Sequence, residues 1–418
     1  MTATTAPATS TPLPTTHRQP LLRPLDLAGL RLPNRVVMAP LTRARAARDG
    51  LLPTPMHADY YGRRASAGLI ITEATWVSRQ AIGFTGVPGI YSAEQVTAWR
   101  RVTDTVHALG GRIVLQLWHT GAASHPDHLG GRQPAGPSPV NPRTRSFTPT
   151  GFQETVTPRA MTPAEIAGTV ADYRAAAHHA RRAGFDGVEI AALGTFLIAQ
   201  FLNPRLNHRT DAYGGDRTRR RRLLLEIVDA VAAPWDGRSV GVRLGPYLDG
   251  GDLFRPDATT LADHDDLVTA LNDHPVAYLH LRGPDRPAPD SRPDTAAIDR
   301  YRHRFHGPLI ANNGFDRESA NAAIEAGTAD AVSFGTHFIA NPDLVARFAL
   351  DREPATGDPT TYYGGGARGY VDYPVSSWQD GPGRQLRGTA EGRTLLGPAA
   401  HPGASAAGHL AGGGGAGG

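Results

Sequence analysis

Between residues 20 and 374, short apolar runs rich in Val, Ile and Leu alternate with longer segments whose apolar residues recur at helical spacing. Strands are expected at Val36–Leu41, Leu69–Ala74, Arg112–His119, Gly187–Ala192, Ser239–Leu244, Ala277–Leu281, Pro308–Asn312 and Ala331–Phe334. Helical segments follow most of them. Ser92–Leu109 opens on a serine cap, and Thr162–Ala183 places Pro at the first helical position. Asp316–Ala326 and Asn341–Leu350 open on Asp and Asn. This alternation predicts an α/β fold, a TIM (β/α)8 barrel, with a long loop-like insertion, Gly121–Pro158, after strand three. An open doubly wound sheet is the competitor, but no G-x-G-x-x-G follows an early strand. Residues 1–19 and 376–418 lack periodicity and read as disordered tails, leaving one domain over 20–375.

Composition narrows the function class. Cysteine is absent, which excludes disulfides, thiolate metal sites and a cysteine nucleophile. No run of eighteen apolar residues is present, so no membrane span is expected, and no export signal is visible; the expected location is cytoplasmic. All 43 basic residues are arginines, against 39 acidic residues. The enrichment in Arg, Ala, Gly and Pro fits a GC-rich bacterial genome better than nucleic-acid binding. The run Arg217–Arg222 reads as a solvated helix start rather than an anion site.

In a barrel of this kind the chemistry sits at the C-terminal strand ends. Those ends carry Pro40, Leu41, Thr42, Ala74, Gln116, Trp118, His119, Arg243, Asn312, Asn313, Gly314, Gly335 and Thr336. They include neither a carboxylate pair nor a metal-ligand cluster, so a bound cofactor is expected to carry the reaction. His119 reads as a packed strand-end histidine, and Trp118 as either core or pocket wall.

The segments LPNRVVMAPLTRARA (32–46), RRASAGLIITEAT (63–75), LQLWHTG (115–121), DAYGG (211–215), FGTHFIANPD (334–343) and YYGGGARGYVDYP (362–374) resemble, in order, the signatures of the Old Yellow Enzyme family. That resemblance implies non-covalent FMN, NAD(P)H as reductant, and a small-molecule substrate, with neither nucleic acid nor membrane as partner. It implies Pro40, Leu41, Thr42 and Ala74 beside the flavin, Gln116 on its pyrimidine edge and Arg243 near N1 and O2. Asn313, Gly314, Gly335 and Thr336 would hold its phosphate, and Tyr363 would lie near the dimethylbenzene end.

The chain also departs from the family. Where the family carries two imidazoles and a tyrosine on strand four, this chain has Ala191, Gly194 and Phe196. Phe84 stands for a second tyrosine, and Thr336 for the arginine usual on the phosphate. Losing one oxyanion-type donor costs on the order of 10²–10³ in rate. Ordinary enone reduction is therefore expected to be slow, with the substrate pocket lined by Phe84, Trp118, Ala191, Gly194 and Phe196. Tyr247 is the first substitute proton donor, with Tyr91, His119 and Arg145 nearby. Two functions are consistent with this pattern: an FMN oxidoreductase with a non-standard reaction on an apolar substrate, or a pseudoenzyme barrel with a binding, scaffolding or cyclisation role.

Overall fold

The computed structural model describes residues 19–235, 239–285 and 291–375. Eight parallel strands close into a barrel in the order β4-β5-β6-β7-β8-β1-β2-β3. They are β1 Val36–Met38, β2 Leu69–Trp76, β3 Ile113–Trp118, β4 Gly187–Ala192, β5 Val240–Leu244, β6 Tyr278–Arg282, β7 Leu309–Asn312 and β8 Ala331–Phe334. The expected TIM barrel is the observed fold. The tails fall outside the described residues, except that Gln19 donates from its side chain to the Phe348 carbonyl.

Residue parity sorts the strands. Outward residues such as Val188, Ile190, Val242, Leu279 and Val332 join the large core beneath the helices. Inward residues at the N-terminal end, including Val37, Ile71, Val114, Tyr278 and Ile310, form a second cluster plugged by Leu27 and Leu32. Those two leucines belong to a hairpin, Leu25–Leu27 with Leu30–Leu32, that closes the barrel floor. Gly241 is required in this layer, because a Cβ there would fall 2.1 Å from the Tyr278 ring.

Three local expectations are revised. β1 stops at Met38 rather than Leu41, since Pro40 has no N–H to continue a ladder. Asn341 does not cap a helix over 341–350. It ends the short helix Thr336–Ala340, its side chain bonding His337 and Ala355 carbonyls, and the next helix is Leu344–Ala349. The insertion after β3 is not merely loop: Arg145–Thr148 and Gly151–Glu154 pair as an antiparallel hairpin. Phe147 of that hairpin packs on Phe84, ring centroids 5.1 Å apart.

The helix starts read from sequence at Ser92, Thr162 and Asp316 hold. Ser92 caps Ala93–Ala108 in a reciprocal box with Gln95, and Thr162 caps Pro163–Arg182 with Glu165. The arginine run is an ion-paired corner rather than an anion site. Arg217 pairs with Asp266 at 2.7 Å, Arg219 with Asp216 at 2.9 Å, and the largely buried Arg220 with Asp263.

Candidate active site

Two adjoining cavities open at the C-terminal end of the barrel. The first, about 690 Å³, is lined by Pro40, Leu41, Thr42, Phe84, Ala74, Gln116, Trp118, Ala191, Gly194, Phe196, Arg243, Thr336 and Tyr363. The second, about 780 Å³, lies over β7 and β8 and is lined by Asn313, Gly314, Gly335 and Thr336. Pro40, Leu41, Arg243 and Thr336 line both. Each falls within the usual size of ligand sites, roughly 300–1,000 Å³. The strand-end residues named from sequence are thus brought together on one face.

His119 and Tyr247 are the exceptions, and the role of Tyr247 as proton donor has no geometric support. Tyr247 lines neither cavity. Its hydroxyl donates to the Ala297 carbonyl at 3.2 Å and its ring packs edge-on to Tyr301, because the loop after β5 turns it toward the helix Thr295–Arg302. Tyr91 and His119 also lie outside the first cavity, whereas Arg145 lines it. His119 is buried, and its Nδ1 accepts from the Gly121 N–H at 3.0 Å. Burial pulls its pKa down to about 3, so the ring is neutral, a packed histidine.

The floor is a polar band that sequence reading largely missed. Glu189, at an inward position of β4, is fully buried. Its Oε1 accepts from Gln116 Nε2 at 2.8 Å. Its Oε2 accepts from the Tyr278 hydroxyl at 3.2 Å and lies 2.8 Å from His280 Nδ1. Burial raises the Glu189 pKa, but His280, Arg243 and Gln116 outweigh it and hold the group below the usual carboxylate range. With an ionised partner at Nδ1, the neutral His280 ring presents Nε2 to the Ser333 hydroxyl, 2.8 Å away. The signal was available: GVEIAA, YLHLR and AVSF each place a polar residue at the inward parity of an apolar strand.

Arg243, one residue across from Ala191 in the β4–β5 register, donates from Nη2 to Asn312 Oδ1 at 2.9 Å. Its Nε is buried without a protein partner. Burial lowers its pKa to about 10, partly restored by Glu189, so it stays cationic at neutral pH. Arg282, at the end of β6, also lines the first cavity and also has a buried nitrogen, Nη1, without a protein partner. Two unsatisfied guanidinium nitrogens beside a roomy apolar wall fit a flat aromatic group carrying acceptor oxygens and an anionic tail. Gly314 and Gly335 let backbone approach such a tail, and Gly314 has φ +79°.

The opposite wall is apolar. Trp118 stacks on Trp76 with centroids 4.3 Å apart and meets Phe196 edge-on at 4.7 Å. Phe84 packs against Tyr363 at 5.9 Å, and Tyr363 stands exposed at the mouth. The segment carrying Tyr362 and Tyr363 is clamped by two arginines of the β1 loop. Arg43 donates to the Tyr362 carbonyl at 3.0 Å, the Gly369 carbonyl at 2.7 Å and the Tyr60 hydroxyl at 3.0 Å. Arg45 donates to Gly366 at 3.0 Å and Thr361 at 2.9 Å. The sequence pairs TRAR and YYGGGARGY are therefore two halves of one contact.

Comparison with known proteins agrees with this geometry. The model of the NADH:flavin oxidoreductase / NADH oxidase family matches residues 20–354. The rice (Oryza sativa subsp. japonica) 12-oxophytodienoate reductase 1 is 40% identical over 360 residues, 85% of this chain and 93% of that protein. Morphinone reductase in complex with tetrahydroNAD superposes with TM-score 0.79 at 44% identity, covering 85% of this chain and 97% of that one. The old yellow enzyme homologue from Zymomonas mobilis gives TM-score 0.79 at 37% identity, covering 85% and 99%. With the barrel, the cavities and these relatives in agreement, the chain belongs to the NADH:flavin oxidoreductase family of the Old Yellow Enzymes, as an FMN-dependent oxidoreductase using NAD(P)H.

Proposed function

We propose that this enzyme moves hydride between FMN and a largely apolar small molecule by a reaction that does not depend on imidazole activation: a reduction, oxidation or isomerisation in bacterial specialised metabolism. The observation that carries this reading is the wall formed by Trp118, Phe196, Phe84, Ala191 and Gly194 around the first cavity. Those five residues supply apolar contact only, and the cavity lining holds no imidazole; its carboxylate is Asp249 and its phenols are Tyr362 and Tyr363. When bound, FMN supplies the hydride chemistry. Arg243 holds a fixed positive charge at the floor, kept in place by Asn312 and balanced by Glu189. Gln116, Thr42 and Ala74 orient the ring, and the backbone at Gly314 and Gly335 receives its tail. Trp118, Phe196 and Phe84 exclude water from the substrate. A proton, where the reaction needs one, comes from water or from Tyr363, whose phenol lines the mouth.

The test is reconstitution with FMN, anaerobic reduction by NADH or NADPH, then mixing with a panel of cyclic enones, nitroalkenes, saturated ketones and hydrophobic alcohols. Slow reoxidation by enones, with faster turnover of a bulky apolar compound, supports the reading. Rapid enone turnover refutes it. Protein that takes up no FMN would instead support the pseudoenzyme reading.

A further inference from the structure

The second cavity has an electrostatic problem. Besides Arg243 and the imidazole of His337 it is walled by the carboxylates of Asp285 and Asp316, and Thr336 brings a hydroxyl rather than a charge. A phosphate there, dianionic or nearly so at neutral pH, needs a further fixed cation. Arg243 is already balanced by the buried Glu189 on its other side.

Arg282 lines the first cavity and lies beside the second. It is the last residue of β6 and pairs in register with Asn312 of β7, the strand whose end carries Asn313 and Gly314. It shares inward parity with His280, which directs it over the polar band rather than into the helix layer. Its Nη2 donates to Asp285 Oδ1 at 2.6 Å, and the same oxygen accepts from Asn313 Nδ2 at 3.0 Å. Asp285 itself lines the second cavity, so the guanidinium lies within one hydrogen bond of that space. The Arg282 side chain is 18% exposed and its Nη1 is buried without a protein acceptor. Asp285 is 65% exposed. An ion pair with so exposed a carboxylate is worth little, and that carboxylate can turn to water at small cost. A phosphate offers the same fork two strong acceptors.

We propose that Arg282 is the arginine that holds the FMN phosphate in this chain, with Asp285 occupying its guanidinium until the phosphate arrives. The proposal rests on FMN being the cofactor. It assigns the fixed cation of the anion site to β6.

The experiment is titration of apo-protein with FMN and with riboflavin, which lacks the phosphate, read by quenching of flavin fluorescence. For Arg282→Met the expected result is a 10- to 100-fold weaker FMN affinity, the range of one charge-assisted contact, with riboflavin affinity unchanged within about threefold. Asp285→Asn is expected to tighten FMN a few-fold by freeing the guanidinium, and this serves as the second variant if Arg282→Met does not fold. Equal losses for both flavins, or no loss for FMN, would overturn the assignment. So would no change in FMN affinity with Asp285→Asn. Wild-type protein that binds neither flavin would remove the cofactor reading itself. Wild type that binds FMN no better than riboflavin would leave that reading intact and remove only this one.

Discussion

Gln116 donates from Nε2 to Oε1 of Glu189 at 2.8 Å, and this bond sets which end of the amide meets the cavity. An ionised carboxylate can only accept, so one amide N–H is committed to it and the carbonyl oxygen is left for a ligand N–H. A residue buried inside β4 thereby orients a cavity-lining amide on β3.

Glu189→Gln should therefore do more than weaken one bond. It leaves Arg243 without its buried countercharge. It also weakens the charge-assisted hydrogen bonds that Gln116, Tyr278 and His280 make to the carboxylate, each worth about 1.5–3 kcal/mol, so urea unfolding should show a loss of a few kcal/mol. Because the folded pKa lies below the unfolded one, the Glu189 contribution is complete above about pH 4.3 and is lost as pH falls through the folded value. The wild type should lose more stability in that acid range than the variant, whose remaining acid limb comes from other depressed carboxylates such as Glu165 and Asp211. An unchanged acid limb in Glu189→Gln would exclude the group as its source.

His119 makes a second pH prediction. Its folded pKa of about 3 lies below the unfolded value, near 6.5, so the unfolded chain takes up the proton first. Stability from this ring is fully present above about pH 6.5 and falls toward pH 3, at most by about 1.4 kcal/mol per pH unit. His119→Asn keeps an acceptor for the Gly121 N–H and cannot titrate. Between pH 7 and pH 5 the wild type should lose about 2 kcal/mol more than the variant, measured from denaturant midpoints.

Installing imidazole and phenol groups in the apolar wall should succeed at two positions and fail at the third. Phe196→Tyr adds a hydroxyl to a ring already at the cavity, and Ala191→His places an imidazole on an inward position lining it. Together they are expected to raise reduction of a cyclic enone by roughly 10²-fold or more. Gly194 differs: its φ is +71°, and a Cβ there would sit 3.0 Å from the Phe196 ring. Adding Gly194→His should cost about 1–2 kcal/mol for backbone conformation alone and bring no further rate. A large gain from Gly194→His in a steady-state enone assay would contradict this.

Arg43→Met should loosen the cavity mouth. The change strands the Tyr362 and Gly369 carbonyls that Arg43 holds, and an unsatisfied buried group costs about 1–3 kcal/mol. Faster amide exchange confined to residues 361–370 is the expected signature in hydrogen-exchange mass spectrometry. Exchange unchanged there would mean that Arg45 alone secures the segment.

The sequence by itself determined the barrel and, to within a few residues, where its strands end. These are local properties: apolar periodicity, caps and motif order are written residue by residue. It misplaced Tyr247, because the direction of a loop side chain depends on what packs against it, here the helix Thr295–Arg302. It passed over Glu189, His280 and Ser333, because a polar residue inside an apolar run acquires meaning only when barrel closure brings β3, β4, β6 and β8 within hydrogen-bond reach of one another. Whether Gly194 was merely small or conformationally required was likewise decided by the fold, since its backbone angle and the Phe196 ring beside it are products of tertiary packing.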